Sequence, residues 1–391
     1  MPKIILSFLL LISLKLFSQS NASFPVKQIE QIRQHYAPDK RTAWFEVKAI
    51  RQGNGWLLRG ETTVLAARDS LLTIFKKMKV KVIDSIKVWP ADAPGWRPFG
   101  VVTVSPCNIR SAPGHSQELA TQALLGTPLN VLKQQENWFL VQTPDKYIGW
   151  LEEGAFKAFS RVEMEEWKAL PKVIFTGLSG TVLAGIDTKS GFLGDVNAGD
   201  VLAFRGEHSN LVEVGYADGR KGFLYKVQVI PLRTWLESRQ VTTENILNTA
   251  RDLLGRPYLW GGTSPKGMDC SGFTKTVFFL NGVILARDAS QQVRSGLLIT
   301  TTIDWKVIKP GDFLFFGKAA TTSAGEKVTH VAIYLGEGKI IHSGDGQVQI
   351  QSLRPGDADF VQKRYDTFLR AKRMLPFSPE KETAWIQDVY R

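Results

Sequence analysis

Cys270 is the residue around which chemistry can be assembled. It stands in Met268-Asp269-Cys270-Ser271-Gly272-Phe273, and Val277, Phe278 and Leu280 follow at helical spacing, so the sequence predicts a helix beginning at or beside the cysteine. A thiol at a helix N-terminus meets the positive end of the helix dipole and free backbone N–H groups. Both favour thiolate and lower its pKa, which is what a nucleophile requires. Taken alone, the same pattern also fits a buried structural cysteine.

Two histidines change that balance. In Thr329-His330-Val331-Ala332-Ile333-Tyr334-Leu335-Gly336-Glu337-Gly338-Lys339-Ile340-Ile341-His342, apolar residues flank a glycine-containing turn, which predicts a β-hairpin. A turn centred on Gly336 places His330 directly opposite His342 on one face, whereas a shift of half a position puts them on opposite faces. On one face, His330 can accept the thiol proton while His342 holds its ring in the useful tautomer. His35, His115 and His208 lie in no such context and read as surface residues.

These residues need a scaffold. Ile246, Leu247, Ala250, Leu253 and Leu254 mark an apolar helical face, and Gly255 and Pro257 supply its stop signals just before the cysteine segment. Upstream, the chain repeats itself. Aligning Gly126 with Gly199 superposes Leu129 on Leu202, Val141 on Val214, Asp145 on Asp218, Gly149 on Gly222, Trp150 on Phe223 and Leu151 on Leu224, as two copies of one small β-barrel would. Between the copies, Ser160-Arg161-Val162-Glu163 is a capping box opening a short helix through Trp167. Residues 40–90 read as strand, Gly53-Asn54-Gly55 turn, strand, helix and strand, and the proline-rich stretch 90–98 is a boundary.

The bulk properties bound the answer. The chain has 391 residues, more than one hydrophobic core usually organises, with 43% hydrophobic and 22% charged residues, which excludes a disordered chain. Lys3, the apolar run Ile4–Leu14 and the small residues Ser20-Asn21-Ala22 read as a signal peptide over 1–22, with an N-terminal anchor as the alternative; the mature protein is then secreted or periplasmic. Two cysteines in an exported protein invite a Cys107–Cys270 disulfide, but the context of Cys270 argues for a free thiol. The net charge of +12 attracts walls, membranes and nucleic acid alike and selects no partner. The basic run Phe75–Lys81 reads as a solvated face.

Taken together, the blocks become specific. Gly255-Arg256-Pro257-Tyr258-Leu259-Trp260-Gly261-Gly262, Asp269-Cys270-Ser271-Gly272-Phe273, Arg287-Asp288-Ala289-Ser290-Gln291-Gln292, Pro310-Gly311-Asp312-Phe313 and the two histidines resemble, in order, the NlpC-type peptidoglycan endopeptidases. Residues 98–158 and 173–232 resemble bacterial SH3-like domains, the first ending in Tyr147-Ile148-Gly149-Trp150-Leu151. The resemblance implies an α+β chain: a papain-like catalytic domain over 240–375, preceded by the two SH3-like barrels and a small α+β domain at 23–92. It further implies that Cys270, His330 and His342 cleave the γ-D-glutamyl amide to lysine or diaminopimelate in stem peptides, with the Tyr258 hydroxyl at the oxyanion. Asp269, Ser271 and Asp288 are candidate substrate contacts, and Glu118 and Tyr147 correspond to first-barrel residues that favour fragments with a free N-terminal L-alanine. Asp269 and Asp288 fit equally a helix cap or surface acid.

No metal or other cofactor is implied, nor a nucleic-acid partner or stable membrane insertion, and a monomer is expected. Two alternatives stay open: an amidase cutting between muramate and L-alanine or a papain-like acyltransferase, and a non-catalytic wall-binding protein.

Overall fold

The computed structural model describes residues 24–91, 93–379 and 383–390, so the expected signal peptide lies outside the described residues. The chain divides into two compact units, residues 1–96 and 97–391. In the first, residues 24–36 are helical, an element not expected from the sequence. Strands Phe45–Gln52 and Gly55–Thr62 pair antiparallel, and the helix Leu65–Lys77 then returns the chain to Val82–Val88, which pairs parallel with the second strand. The helix buries Ala67, Leu71 and Phe75, one face at four-residue spacing, against Phe45, Leu58 and Ile86. Lys76, Lys77, Lys79 and Lys81 are all exposed.

The second unit opens with two seven-stranded sheets of matching strand order. The 73-residue offset read from the sequence carries the strands beginning at Phe99, Pro128, Trp138, Ile148 and Phe156 onto those beginning at Lys172, Val201, Leu211, Lys221 and Val229. A helix follows each barrel: Arg161–Ala169, with the expected Ser160/Glu163 capping box, and Leu232–Ser238. The buried Asp200 carboxylate joins the copies, accepting the Leu125 N–H of the first (3.0 Å) and the Asn197 N–H of the second (2.7 Å). Cys107 is buried in the first barrel, and both cysteines are free thiols.

The remainder builds a helix-on-sheet layer. Thr242 caps the helix Thr243–Asp252, whose buried residues are Ile246, Leu247 and Ala250, and Gly255 (φ +75°) turns the chain just beyond it. The helix Cys270–Leu280 buries Phe273, Val277 and Phe278 completely against Phe313, Phe315, Val331, Ile333 and Ile341. Each such side chain contributes about 1.5–3 kcal/mol by burial, which fixes the helix against the sheet. That sheet has six strands, running in space Leu297–Thr300, Phe368–Arg373, Phe313–Lys318, Lys327–Gly336, Lys339–Gly344 and Gln347–Ser352. The C-terminal segment returns to pair Ala384–Trp385 with Val283–Ile284.

Candidate active site

Asp269 starts the helix that carries Cys270. Its Oδ1 accepts the Gly272 N–H at 2.7 Å, making it the N-cap and placing Cys270 at the first helical position. Gly272 is required there because a Cβ would stand 2.0 Å from the Gly262 carbonyl oxygen. The expected lowering of the thiol pKa is reversed. Burial pushes the Cys270 thiol up to about 11, the Asp269 carboxylate adds to the rise, and hydrogen bonds from the Val331 and Ser271 N–H groups oppose it only in part. At neutral pH the resting site therefore holds a neutral thiol, with its sulfur against the residue that follows His330.

The hairpin register differs from a turn centred on Gly336. Ile333 pairs with Ile341 and Tyr334 with Ile340, and a bulge at Leu335 precedes the Gly336–Lys339 pair, which moves the turn to Glu337-Gly338. The bulge takes back half a position, so the net register shift beyond it is one whole position, and the histidines keep a common face but stand as diagonal neighbours rather than directly opposite. His330 Nε2 lies 2.7 Å from His342 Nδ1, with the rings edge to face.

One further residue sets the proton positions. His342 Nε2 lies 2.7 Å from Gln351 Oε1 on the next strand. An amide oxygen only accepts, so His342 Nε2 carries hydrogen and its Nδ1 is the acceptor. His330 Nε2–H then donates to His342, which leaves His330 Nδ1 as a lone pair, the form a base for the thiol requires. Burial lowers both histidines, His330 well below its ordinary value and His342 to about 4, so the chain is neutral near pH 7. Gln351 was missed in the sequence because nothing in its spacing from His342 marks it.

Asp269 is held by partners within the fold. Besides capping the helix, it accepts the Gly261 N–H at 3.0 Å, the Ser271 hydroxyl at 3.1 Å and the Arg287 guanidinium at 3.1 and 2.7 Å. Burial opposes its charge, but Arg287 holds the carboxyl below the usual range, so the alternative reading as a helix cap describes it. Ser271 is buried in the same cluster, its Oγ receiving Arg287 at 3.1 Å. Arg287, quoted in the sequence only as part of a block, is fully buried and also donates to Thr121 Oγ1 of the first barrel at 3.0 Å.

Asp288 and the first-barrel residues stand differently. Asp288 also begins a helix, forming a capping box with Gln291 ahead of Ala289–Gln292, but one of its oxygens accepts the Tyr147 hydroxyl at 3.3 Å, another lies 3.8 Å from Arg287, and the carboxylate stays partly exposed. Glu118 accepts the Trp260 indole N–H at 2.7 Å, and Trp260 is 62% exposed. The first barrel also meets the Tyr258–Thr263 loop through Gln122, which accepts the Thr263 N–H and hydroxyl, each at 3.0 Å. Gly261 (φ +81°) fits because a Cβ would lie 2.1 Å from the Leu119 carbonyl oxygen. Tyr258 bridges through its backbone to Met268, two residues before the thiol, and burial, with the Cys270 and Asp269 charges, pushes its hydroxyl up to about 12, so it stays protonated and can donate.

Residues 255–370 match the NlpC/P60 family, and residues 109–156 match the bacterial dipeptidyl-peptidase Sh3 domain. The chain is 28% identical over 270 residues to a gamma-D-glutamyl-L-lysine dipeptidyl-peptidase of Bacillus cereus, covering 67% of this chain and 77% of that one. It is 27% identical over 276 residues to dipeptidyl-peptidase 6 of Lysinibacillus sphaericus, covering 65% and 91% respectively. The crystal structure of an NlpC/P60 family protein from Bacillus cereus superposes with a TM-score of 0.59 at 26% identity, covering 71% of this chain and all of that one. With a buried thiol at a helix start beside a paired-histidine sheet, and an SH3 domain of the dipeptidyl-peptidase type ahead of it, the protein is a cysteine peptidase whose residues 255–370 form an NlpC/P60 domain.

Proposed function

We propose that the protein hydrolyses peptidoglycan at the amide between γ-D-glutamate and the diamino acid of stem peptides, acting on fragments with a free N-terminal L-alanine. The observation that carries the reading is the proton chain from Gln351 through His342 to His330, which leaves a basic nitrogen on His330 next to the Cys270 strand contact. Cys270 gives its proton to His330 Nδ1 as its sulfur attacks the γ-carbonyl carbon. The Cys270 backbone N–H and the Tyr258 hydroxyl meet the oxyanion. The intermediate collapses to a thioester as His330 protonates the leaving amine, and His330 then takes a proton from the water that releases the dipeptide. His342 positions His330 throughout.

Glu118, Asp288 and the Tyr147 hydroxyl supply two carboxylates and a polar edge for the ammonium of L-alanine, while the first barrel closes the site beyond it. Ser271, buried against Asp269, acts by holding the start of the helix. The relatives named for a gamma-D-glutamyl-L-lysine substrate support this choice of bond. The reading also takes residues 1–22 as an export signal, residues 23–92, 98–158, 173–232 and 240–375 as the domains, and the protein as a monomer acting outside the cytoplasm.

The test compares L-Ala-γ-D-Glu-L-Lys and its diaminopimelate counterpart with their N-acetylated forms. Cleavage after D-glutamate, lost on acetylation, is expected. Release of an intact stem peptide from the sugar would overturn the bond assignment, and hydrolysis by Cys270→Ala would overturn the nucleophile.

A further inference from the structure

Arg364 is a cation that the proposed chemistry leaves unused. It lies in the helix Gln362–Asp366, just before the strand Phe368–Arg373. Its Nε is shielded from solvent and has no hydrogen-bond partner, and its guanidinium makes no ion pair among the described residues. A Cβ built on Gly344 would stand 2.9 Å from His342 Nδ1 and 3.3 Å from Arg364 Nη2, so the guanidinium and the His342 ring flank one small space. His342 and Gly344 are two residues apart on one strand and face the same side, and glycine keeps that space open. The charge of Arg364 bears on Cys270, Tyr258, His330 and His342, and Asp345 is the carboxylate that bears on it.

A shielded guanidinium N–H without an acceptor is costly, and the planar fork of arginine matches a carboxylate. The side of the cleft decides which carboxylate. The leaving nitrogen must reach His330 to take its proton, so whatever that nitrogen carries lies on the histidine side, where Arg364 stands. The amino end of the substrate lies with Glu118, Asp288 and Tyr147. We infer that Arg364 binds a carboxylate of the departing diamino acid, so that the enzyme selects fragments ending in a free carboxylate at that residue. The inference rests on the proposed function and adds a leaving-side specificity to it.

The experiment measures kcat/KM of the full chain on L-Ala-γ-D-Glu-L-Lys, on the same peptide with a C-terminal carboxamide, and on the peptide whose glutamate α-carboxyl is amidated. The wild type is expected to prefer the free terminal carboxylate over the carboxamide by about 10- to 100-fold, the range of a charge-assisted hydrogen-bonded pair. Arg364→Gln should collapse that ratio to about threefold or less, and Arg364→Lys should keep part of it, with thermal unfolding confirming that both variants fold. A wild type indifferent to the terminal carboxamide overturns the inference whatever the variants do. So does a ratio unchanged by the substitutions, or a loss that follows amidation of glutamate instead. If the wild type cleaves none of the three peptides, the reaction itself is refuted and the inference falls with it.

Discussion

Replacing Gln351 by leucine removes the acceptor that fixes both histidine tautomers while leaving a side chain of similar volume. The lost contact is a 2.7 Å hydrogen bond, and His342 Nε2–H is left without its acceptor beside a buried ring. An unsatisfied buried donor costs about 1–3 kcal/mol, and the chain retains the productive tautomer for only part of the time. If the full cost falls on the attack step, kcat drops by about 5- to 150-fold with KM little changed. Gln351→Glu separates this from packing. Its carboxylate accepts the same hydrogen, so the tautomers persist, but its charge favours imidazolium and raises both histidines. In the wild type, burial lowers both rings, His342 to about 4, so the acid limb of kcat/KM lies below 6.5. The glutamate variant should retain kcat near its optimum and move that limb upward by about one pH unit or more. The assay is tripeptide hydrolysis followed from about pH 4 to 9. Full kcat in the leucine variant would refute the argument, as would equal losses in both variants with an unmoved acid limb.

Other consequences follow from the same geometry. Arg287→Met leaves the Asp269 carboxylate buried without its partner and should destabilise the second unit by about 3–5 kcal/mol in urea unfolding, whereas Asp269→Asn combined with Arg287→Met should recover much of that loss. Gly344→Ala places a methyl 2.9 Å from the His342 ring and should lower kcat through ring displacement at nearly unchanged melting temperature. Each buried histidine binds fewer protons folded than unfolded, so the stability they contribute is present above about pH 6.5 and lost as pH falls through the folded values. The His342 shift from 6.5 to about 4 amounts to about 3 kcal/mol. Unfolding at pH 7 and pH 4 should show this loss, and His342→Gln should flatten it.

Local rules made much of the protein legible. The 73-residue repeat, the Ser160 capping box, the strand order of residues 45–88 and a helix beginning at Cys270 all follow from turn glycines, caps and apolar periodicity, whose causes lie within a few residues. The common face of His330 and His342 was legible only as one of two registers: the turn lies at Glu337-Gly338, and the bulge at Leu335 restores the parity that puts both rings on one face. The helix at residues 24–36 was not read from the sequence, although Ile29, Ile32 and Tyr36 recur at helical spacing and pack into the core of the first unit.

What only the tertiary structure decided were quantities set by neighbours distant in sequence. The thiol at the helix start carries the local signal for a lowered pKa, yet burial under the sheet and the adjacent Asp269 raise it to about 11. Asp269 and Asp288 look alike as acids ahead of short helices, but Arg287 occupies the first, while Tyr147, 141 residues away, meets the second. Gln351 gains its role from strand pairing, and Arg364 from the space above Gly344. A sequence encodes periodicity and caps in local order, whereas desolvation and hydrogen-bond partnership depend on what the fold packs against each group.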